Sequence, residues 1–260
     1  IFPLMCVGFV NFSGASEHTT ILDAEGTSTI IQLHELVGPV SIENIKCING
    51  NGYTGGALDI YESDIVIRNV ILDNNTAEEY GGGIYVNYGS SLNAENLIIR
   101  NNSSNRGGAV FSYDSDINLI NTLIHNNTST ENGASGSSIV LYDCTAQIIN
   151  TTIANNYIYE EQTHYGSSIL HLGQSASLQL SNSIIWNNDL RNIGIHSSSL
   201  TIINSNIYGG LEEIEPSDEN SEVIWIGENI NENPLFVDSE NGDFNLQAGS
   251  PCIDAGTSDI

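Results

Sequence analysis

A motif of the form Asn-Xaa-Xaa-Ile-Xaa-Asn-Asn, or a close variant of it, recurs along most of this 260-residue chain. Its copies begin at Asn44, Asn69, Asn96, Asn121, Asn150, Asn182 and Asn204, which are 25, 27, 25, 29, 32 and 22 residues apart. A second motif, Gly-Gly-Ala, Gly-Gly-Gly or Gly-Ser-Ser followed by an apolar residue, recurs in phase with the first, at Leu58, Ile84, Val110, Ile139 and Ile169. Repeats of this length are typical of solenoids, in which each turn packs only on its neighbours.

The segments before these asparagines have the alternating pattern of β-strands. Ile65 and Ile67 precede Asn69 at a spacing of two residues, and Ile117 and Leu119 precede Asn121 in the same way. The chain has no apolar stripe long enough for an amphipathic helix. Three short strands in each repeat of about 25 residues, stacked at the ~4.8 Å spacing of paired strands, predict an all-β, right-handed parallel β-helix.

The recurring asparagine is predicted to be a structural element of this solenoid. The alternation that buries the apolar residues of each coil continues to the Asn and places it on the inward face at a corner. Its side-chain amide can then donate to the coil on one side and accept from the coil on the other, so that no buried polar group lacks a partner. We therefore expect an asparagine ladder through all seven corners.

The repeat ends near residue 210, and the sequence beyond it predicts two further segments. Residues 1–210 are expected to form the β-helix coils. Residues 211–232 are rich in Asp and Glu around the apolar patch 223–226 and predict an acidic loop that leaves the coil. Residues 233–260 are expected to form a terminal coil or cap of the same domain.

Several sequence features resemble a known group of bacterial proteins. They are Thr20-Ile-Leu-Asp-Ala-Glu-Gly, the Gly-Gly-Gly-Ile-Tyr-Val and Asn-Xaa-Xaa-Ile-Xaa-Asn-Asn repeats, Asn233-Pro-Leu-Phe-Val-Asp and Gly249-Ser-Pro-Cys-Ile-Asp-Ala-Gly. Together they resemble secreted bacterial right-handed β-helix repeat proteins, the pectate-lyase-like solenoids that often precede a surface-sorting domain. In repeat style they are similar to the chlamydial polymorphic outer-membrane proteins. The resemblance implies a secreted or cell-surface location in a bacterium.

The charge balance excludes some partners. Five Lys and Arg against 32 Asp and Glu give a formal charge of −27, which would repel nucleic acid. No apolar run is long enough for a membrane-spanning helix. The sequence predicts no cofactor, although so acidic a chain has oxygen ligands for Ca²⁺, and a calcium site stays open as an alternative.

The repeat register also predicts one cluster of residues that could carry chemistry. At the fourth position after the corner Asn, Asp73, Arg100 and His125 should lie on successive coils about 5 Å apart. They are the candidate catalytic residues, but a cross-strand charge ladder is the favoured interpretation. Asp-Asp, Gly-His-Gly and Arg-Xaa-Lys motifs, which serve catalysis in polygalacturonase-like solenoids, are absent from the sequence.

An aromatic and apolar stripe is the strongest candidate for a binding surface. In the strand after each glycine motif, residues that should point outward include Tyr61, Tyr85, Phe111, Tyr113, Tyr142, Leu170 and Leu172. A sheet face that meets only water is polar, so the stripe needs a cover. One hypothesis is a loop of the same chain, either 157–165 or 223–226, and the other is another copy of the chain or a surface glycan.

These patterns favour a non-enzymatic role. We expect an extracellular or cell-surface solenoid that serves as a structural, adhesive or binding module and self-associates or binds glycans. The alternative is a carbohydrate-active enzyme, a polysaccharide lyase acting on uronate polymers. That reaction requires a cationic or metal environment and an Arg or Lys base, and this chain has only five such cations.

Overall fold

The chain folds as a parallel β-solenoid of about 8 turns, with coils roughly 26 residues apart and about 3% of residues in helix. The computed structural model describes residues 2–6, 8, 10–130, 138–158, 168–188 and 191–258. The all-β parallel solenoid that the repeats predict is therefore confirmed.

Thirty β-strands and two 3-10 turns lie in the described part of the chain. The strands of the first half are β1 (Leu4–Met5), β2 (Phe12–Ser13), β3 (Ile21–Asp23), β4 (Ile31–His34), β5 (Val40–Ile48), β6 (Asn51–Thr54), β7 (Leu58–Tyr61), β8 (Asp64–Asp73), β9 (Thr76–Tyr80), β10 (Ile84–Asn87), β11 (Ser91–Arg100), β12 (Ser103–Ser104), β13 (Val110–Tyr113), β14 (Asp116–Ile120), β15 (Leu123–His125) and β16 (Thr128–Ser129). Those of the second half are β17 (Ile139–Tyr142), β18 (Thr145–Ile149), β19 (Thr152–Ala154), β20 (Tyr157–Ile158), β21 (Ser168–Gly173), β22 (Ser177–Ser181), β23 (Ile184–Trp186), β24 (Arg191–His196), β25 (Ser199–Ile203), β26 (Asn206–Ile207), β27 (Ile214–Pro216), β28 (Glu222–Ile226), β29 (Phe236–Asp238) and β30 (Asp243–Leu246). The 3-10 turns are Gly210–Glu213 and Ser239–Asn241.

These strands form three parallel sheets that run along the solenoid. Sheet A has nine strands in the order β1-β4-β7-β10-β13-β17-β21-β24-β27, and sheet C has five short strands in the order β20-β16-β12-β9-β6. Sheet B has 14 strands. Its strands β5, β8 and β11 cross a corner, and later coils are divided there into two strands, so sheet B has a first and a second half.

The core consists of inward-facing aliphatic residues that repeat from coil to coil. Leu58 pairs with Ile84, and Ile84 pairs with Val110, all three fully buried. Leu92 and Leu72 are likewise fully buried in sheet B. Strands in a parallel β-helix bury one face against the strands opposite, so the β-branched residues of the repeat are retained on the inside.

The corner between the two halves of sheet B carries the predicted asparagine ladder from Asn44 to Asn121, but its side chains are not buried. Asn182 and Asn204 bond instead to backbone carbonyls of residues 255–257, so the ladder does not run through all seven corners. Nδ2 of Asn69 donates to Oδ1 of Asn44 at 2.9 Å, and the contact repeats from Asn96 to Asn69 at 3.1 Å and from Asn121 to Asn96 at 3.3 Å. The seven asparagines are half-buried or exposed and all have positive φ, between 46° and 58°. The expectation of an inward, buried ladder is wrong because the left-handed backbone turns each of these side chains toward solvent.

The buried ladder lies at the next corner and contains the second Asn of each Asn-Asn pair. Asn75, Asn102, Asn127 and Asn156 are each 0% exposed. The Nδ2 of each donates to Oδ1 of the next, at 2.9 Å from Asn75 to Asn102 and 3.0 Å for the two following pairs. Each Oδ1 also accepts a backbone N–H from the preceding coil, as Asn102 does from Asn75 at 2.9 Å. This row satisfies the polar groups at the tightest turn of the coil.

Residues 211–232 do not leave the solenoid as a loop. β27 pairs with β24, and β28 pairs with β25 in the register Leu200 with Val223 and Ile202 with Trp225. Val223 and Trp225 pack against the core, whereas the residues between and beside them are exposed. The prediction of an excursion is wrong because the apolar patch alternates with a period of two and continues sheets A and B by one more coil.

The final segment forms neither a coil nor an end cap, and it lies along the side of the solenoid. β29 and β30 pair antiparallel with one another. Nδ2 of Asn155 donates to the Ser239 carbonyl at 2.9 Å, and Asn182 exchanges two hydrogen bonds with the Thr257 backbone at 2.8 and 2.9 Å. We call residues 233–257 the C-terminal segment. It covers the second half of sheet B.

Candidate functional site

The predicted aromatic residues lie in register on the outward face of sheet A. Tyr85 pairs with Phe111, and Tyr61 and Tyr113 occupy the same row on either side of Asn87. Tyr113 pairs in turn with Tyr142 on the following coil. Because parallel strands stack ~4.8 Å apart, these rings lie in two neighbouring rows along the solenoid axis, which we call the aromatic strip, and Asn87 interrupts one row.

The middle of this strip is a packed aromatic cluster. The Phe111 ring lies 4.5 Å from the Tyr80 ring, 5.9 Å from Tyr85 and 5.9 Å from Tyr142, measured between ring centroids. Phe111 is only 5% exposed as a result. Tyr80 was missed by the sequence analysis because it ends β9 in sheet C and reaches the cluster across a corner.

Leu170 and Leu172 do not belong to the binding surface. The register pairs Ile139 with Leu170 and Leu141 with Leu172, and both leucines are 0% exposed in the core. The prediction is wrong because the coil from Asn150 to Asn182 is the longest of the series, at 32 residues, and its Gly-Ser-Ser motif is one residue out of phase with the strand. His171 takes the outward position and contacts the Tyr142 ring at 5.6 Å.

The absence of a side chain at Gly173 leaves space for the Tyr142 ring. A Cβ atom at Gly173 would lie 2.3 Å from Cε1 and 2.7 Å from Cδ1 of Tyr142. The ring therefore lies over the backbone of the following coil. His171, which is 6% exposed, is buried beside it, and burial lowers its pKa to about 4.

The most exposed rings of the strip lie near the middle of sheet A, on the coils of β10 and β13. Tyr88 is 51% exposed and Tyr113 is 39% exposed. Tyr88 has a φ of 53° at the turn after β10, and its ring packs on Tyr61 at 4.7 Å. The sequence analysis missed Tyr88 because it stands in a turn, outside the strand alternation.

Neither of the two segments proposed to cover the aromatic strip is seen to do so. The segment 223–226 belongs to β28 in sheet B, so it does not cover the strip. Residues 159–165 of the other segment lie outside the described residues. The hypothesis of an external partner for the exposed rings therefore stays a prediction.

A His–Asp contact lies on the same face of sheet A, with His34 exposed and Asp59 buried. Nε2 of His34 lies 3.3 Å from Oδ2 of Asp59, whose side chain also accepts a hydrogen bond from Thr54 at 3.2 Å. This hydrogen bond with Asp59 raises the pKa of His34. Tyr61 lies next to this pair, with its ring 5.9 Å from the His34 ring.

Asp73, Arg100 and His125 are brought together on the second half of sheet B. Arg100 pairs with Asp73 on one side and with His125 on the other. Oδ2 of Asp73 lies 2.9 Å from the Arg100 guanidinium and 2.8 Å from Nζ of Lys46, which the sequence analysis did not include. Burial raises the pKa of Asp73, but hydrogen bonds from Lys46, Asn101 and Arg100 outweigh it and lower the pKa to about 2.

The C-terminal segment covers His125. The Phe244 ring lies 4.9 Å from the His125 ring, and Phe236 packs on Phe244 at 5.2 Å. His125 is 3% exposed, and its Nδ1 atom has no hydrogen-bond partner. Burial, followed by the charge of Arg100, lowers the pKa of His125 to about 4. The imidazole is therefore neutral and shielded from solvent at pH 7.

A second row of charges shows what such a cluster contributes to the fold. Arg68 lies 3.2 Å from Glu43 and 3.6 Å from Glu95 on the two neighbouring coils. These contacts are cross-strand ion pairs, and each contributes roughly 0.2 to 1 kcal/mol to the stability of the fold. The Asp73 cluster is similar: Arg100 pairs with Asp73 directly across the strands, and Lys46 reaches Asp73 diagonally from the preceding coil.

The described residues contain no group of three or more His, Cys, Asp or Glu placed to hold a metal ion. No helix in that part of the chain is both long and apolar enough to cross a membrane. No family model, curated protein or solved structure matches the chain.

Proposed function

We propose that this chain is a secreted or cell-surface bacterial solenoid that serves as a structural and adhesive module, and that it binds glycans on the outward face of sheet A. The observation that carries this proposal is the group of rings on this face: Tyr85 pairs with Phe111, Tyr113 pairs with Tyr142, and the Tyr61 ring packs on Tyr88. Aromatic rings offer a flat apolar surface with a polar edge, which suits the faces of sugar rings. A regular sheet holds these rings in place before any ligand binds, which reduces the entropy cost of binding.

The Asp73 cluster supports catalysis less well. A lyase acting on uronates needs a base that reaches the substrate, together with positive groups free to stabilise the intermediate. Here Lys46 and Arg100 are both paired with the Asp73 carboxylate, and His125 lies beneath Phe244. The exposed rings of sheet A therefore support glycan binding better than the Asp73 cluster supports proton abstraction.

Glycan binding by surface variants tests the proposal. We expect Tyr61→Ser combined with Tyr113→Ser to lower the affinity for a bound glycan roughly tenfold, since each lost ring contact contributes about 0.5 to 1.5 kcal/mol. The matched control is Tyr53→Ser, because Tyr53 is 64% exposed but lies on sheet C. Circular dichroism checks that all variants stay folded.

Three results would contradict the proposal. The first is equal glycan affinity in the double variant and the control. The second is a change of assembly state in the double variant, by sedimentation, with no glycan bound, which would assign the strip to self-association. The third is release of an unsaturated product from pectate or alginate, with or without Ca²⁺, that Arg100→Ala abolishes.

A further inference from the structure

The exposed rings of the aromatic strip lie beside a corner that is rich in carboxylates. This corner joins sheet A to sheet B. A groove there has a volume of about 200 Å³ and is lined by Leu36, Glu62, Ser63, Asp64, Tyr88 and Gly89. The groove thus has a half-exposed ring on one side and two exposed carboxylates on the other.

The acidic groups recur along this corner from coil to coil. Glu35 and Glu62 follow β4 and β7 at equivalent turn positions, with φ of 53° and 45°, and Asp114 and Asp143 follow β13 and β17 in the same way, with φ of 49° and 48°. All four side chains are exposed. They lie beside Tyr61, Tyr88, Tyr113 and Tyr142 and line one edge of the strip.

Three of the chain's five Lys and Arg residues are paired elsewhere. Lys46 and Arg100 are paired with Asp73, and Arg68 is paired with Glu43 and Glu95. Lys46, Arg68 and Arg100 therefore do not neutralise the carboxylates of this corner. The surface is complementary to a positively charged ligand.

We propose that this face selects sugar chains that carry free amines, such as oligomers of glucosamine; the proposal rests on the glycan-binding function above. An ammonium group is attracted to the face of a tyrosine ring and forms charge-assisted hydrogen bonds with carboxylates. The strip offers both within one groove, at Tyr88 and Glu62. Because carboxylates occupy this turn on the coils before and after Tyr88, an extended chain along the solenoid axis meets acidic groups on both sides of the ring.

The same electrostatics disfavour the other classes of glycan. A uronate polymer carries carboxylates of its own and is repelled by a chain of charge −27. A neutral N-acetylated chain can stack on the rings but cannot pair with Glu62 or Asp64. The predicted order of affinity is therefore free amine first, N-acetylated second and uronate last.

Binding of glucosamine oligomers, their fully N-acetylated counterparts of equal length and oligolysine of matched charge tests this order by calorimetry. We expect the free-amine oligomer to bind at least tenfold more tightly than the acetylated one. Glu62→Gln combined with Asp64→Asn should lower its affinity about tenfold. The control removes the same charge at the far end of the solenoid, with Glu212→Gln and Glu219→Gln, which are both exposed, and should change affinity less than twofold.

The outcomes separate this proposal from the function on which it rests. Equal binding of both sugars, lost in the Tyr61→Ser and Tyr113→Ser variant, would retain the glycan surface and refute amine selection. If the Glu62/Asp64 variant and the Glu212/Glu219 variant lose affinity equally, the assigned groove is refuted, because attraction to the net charge alone would explain both losses. Oligolysine bound as tightly as the sugar, and weakened by the same Glu62 pair, would assign the surface to basic protein segments. Failure of every sugar to bind would refute both proposals.

Discussion

Replacement of Asn102 by Ala should destabilise the solenoid far more than the same change at Asn121, although both asparagines occupy repeated corner positions. Asn102 is 0% exposed, whereas Asn121 is exposed. The side chain of Asn102 donates to the Leu72 carbonyl at 3.0 Å and accepts the Asn75 backbone N–H at 2.9 Å. It also links the amides of Asn75 and Asn127, at 2.9 and 3.0 Å.

The size of the effect follows from the groups that lose their partners. Ala at position 102 leaves the Asn75 N–H and the Leu72 carbonyl buried without a hydrogen bond. Each unsatisfied buried group costs about 1 to 3 kcal/mol, so the free energy of unfolding should fall by roughly 2 to 6 kcal/mol. At Asn121, water replaces the lost amide contact. The remaining cost there is the left-handed backbone, with φ of 52°, which raises the energy of an Ala by about 1 to 2 kcal/mol.

Glycine variants distinguish the two causes. Asn121→Gly should recover most of the loss seen in Asn121→Ala, because glycine adopts a positive φ without strain. Asn102→Gly should recover none, because its loss comes from hydrogen bonds. Urea unfolding followed by circular dichroism gives the four free energies. Equal destabilisation by Asn102→Ala and Asn121→Ala, or rescue by glycine at position 102, would refute the assignment of the buried ladder.

Three further predictions concern the charged and titratable groups. Asp73→Asn removes the carboxylate that two cations share, and we expect it to lower the free energy of unfolding by about 1 to 3 kcal/mol in a urea titration while glycan binding is unchanged; an unaltered midpoint would contradict the ion-pair interpretation. Phe244→Ala uncovers His125, so its pKa, followed by NMR, should rise from about 4 toward the ordinary value, and an unchanged titration would show that the C-terminal segment does not shield it. Burial also lowers the pKa of His171 to about 4, so the folded state disfavours a protonated His171. The free energy of unfolding should therefore fall by roughly 3 kcal/mol as the pH drops from the unfolded pKa near 6.5 toward 4. A His171→Gln variant that loses as much stability over this pH range would contradict the prediction.

The strand pattern predicted from the sequence agrees with the structure wherever the coils are regular. The pairing of Asp73 with Arg100, and of Arg100 with His125, follows from counting residues after the corner Asn. The pairing of Phe111 with Tyr85 follows from counting residues after the glycine motif. Such counting succeeds because each coil stacks directly on the previous one, so that spacing in sequence becomes spacing in space. It fails at Leu170, where an insertion moves the motif out of phase with the strand.

The asparagine ladders illustrate a different limit. Both Asn rows recur with the same spacing, so periodicity alone does not tell which row is buried. The distinction comes from the backbone, because a positive φ at Asn44 and its equivalents turns their side chains outward. The tight turn at Asn75 and its equivalents faces the interior instead, where the amide is needed to satisfy backbone groups.

The sequence by itself determined the parallel solenoid, the length of its coils and the rows of residues that share a face, because all three depend on local periodicity. The tertiary structure decided what covers each row. Phe244 shields His125 from a distance of more than a hundred residues along the chain, and Tyr80 reaches Phe111 across a corner from another sheet. Burial sets the pKa of His125 and the exposure of the tyrosines, and it depends on contacts between segments that no repeat pattern relates to each other.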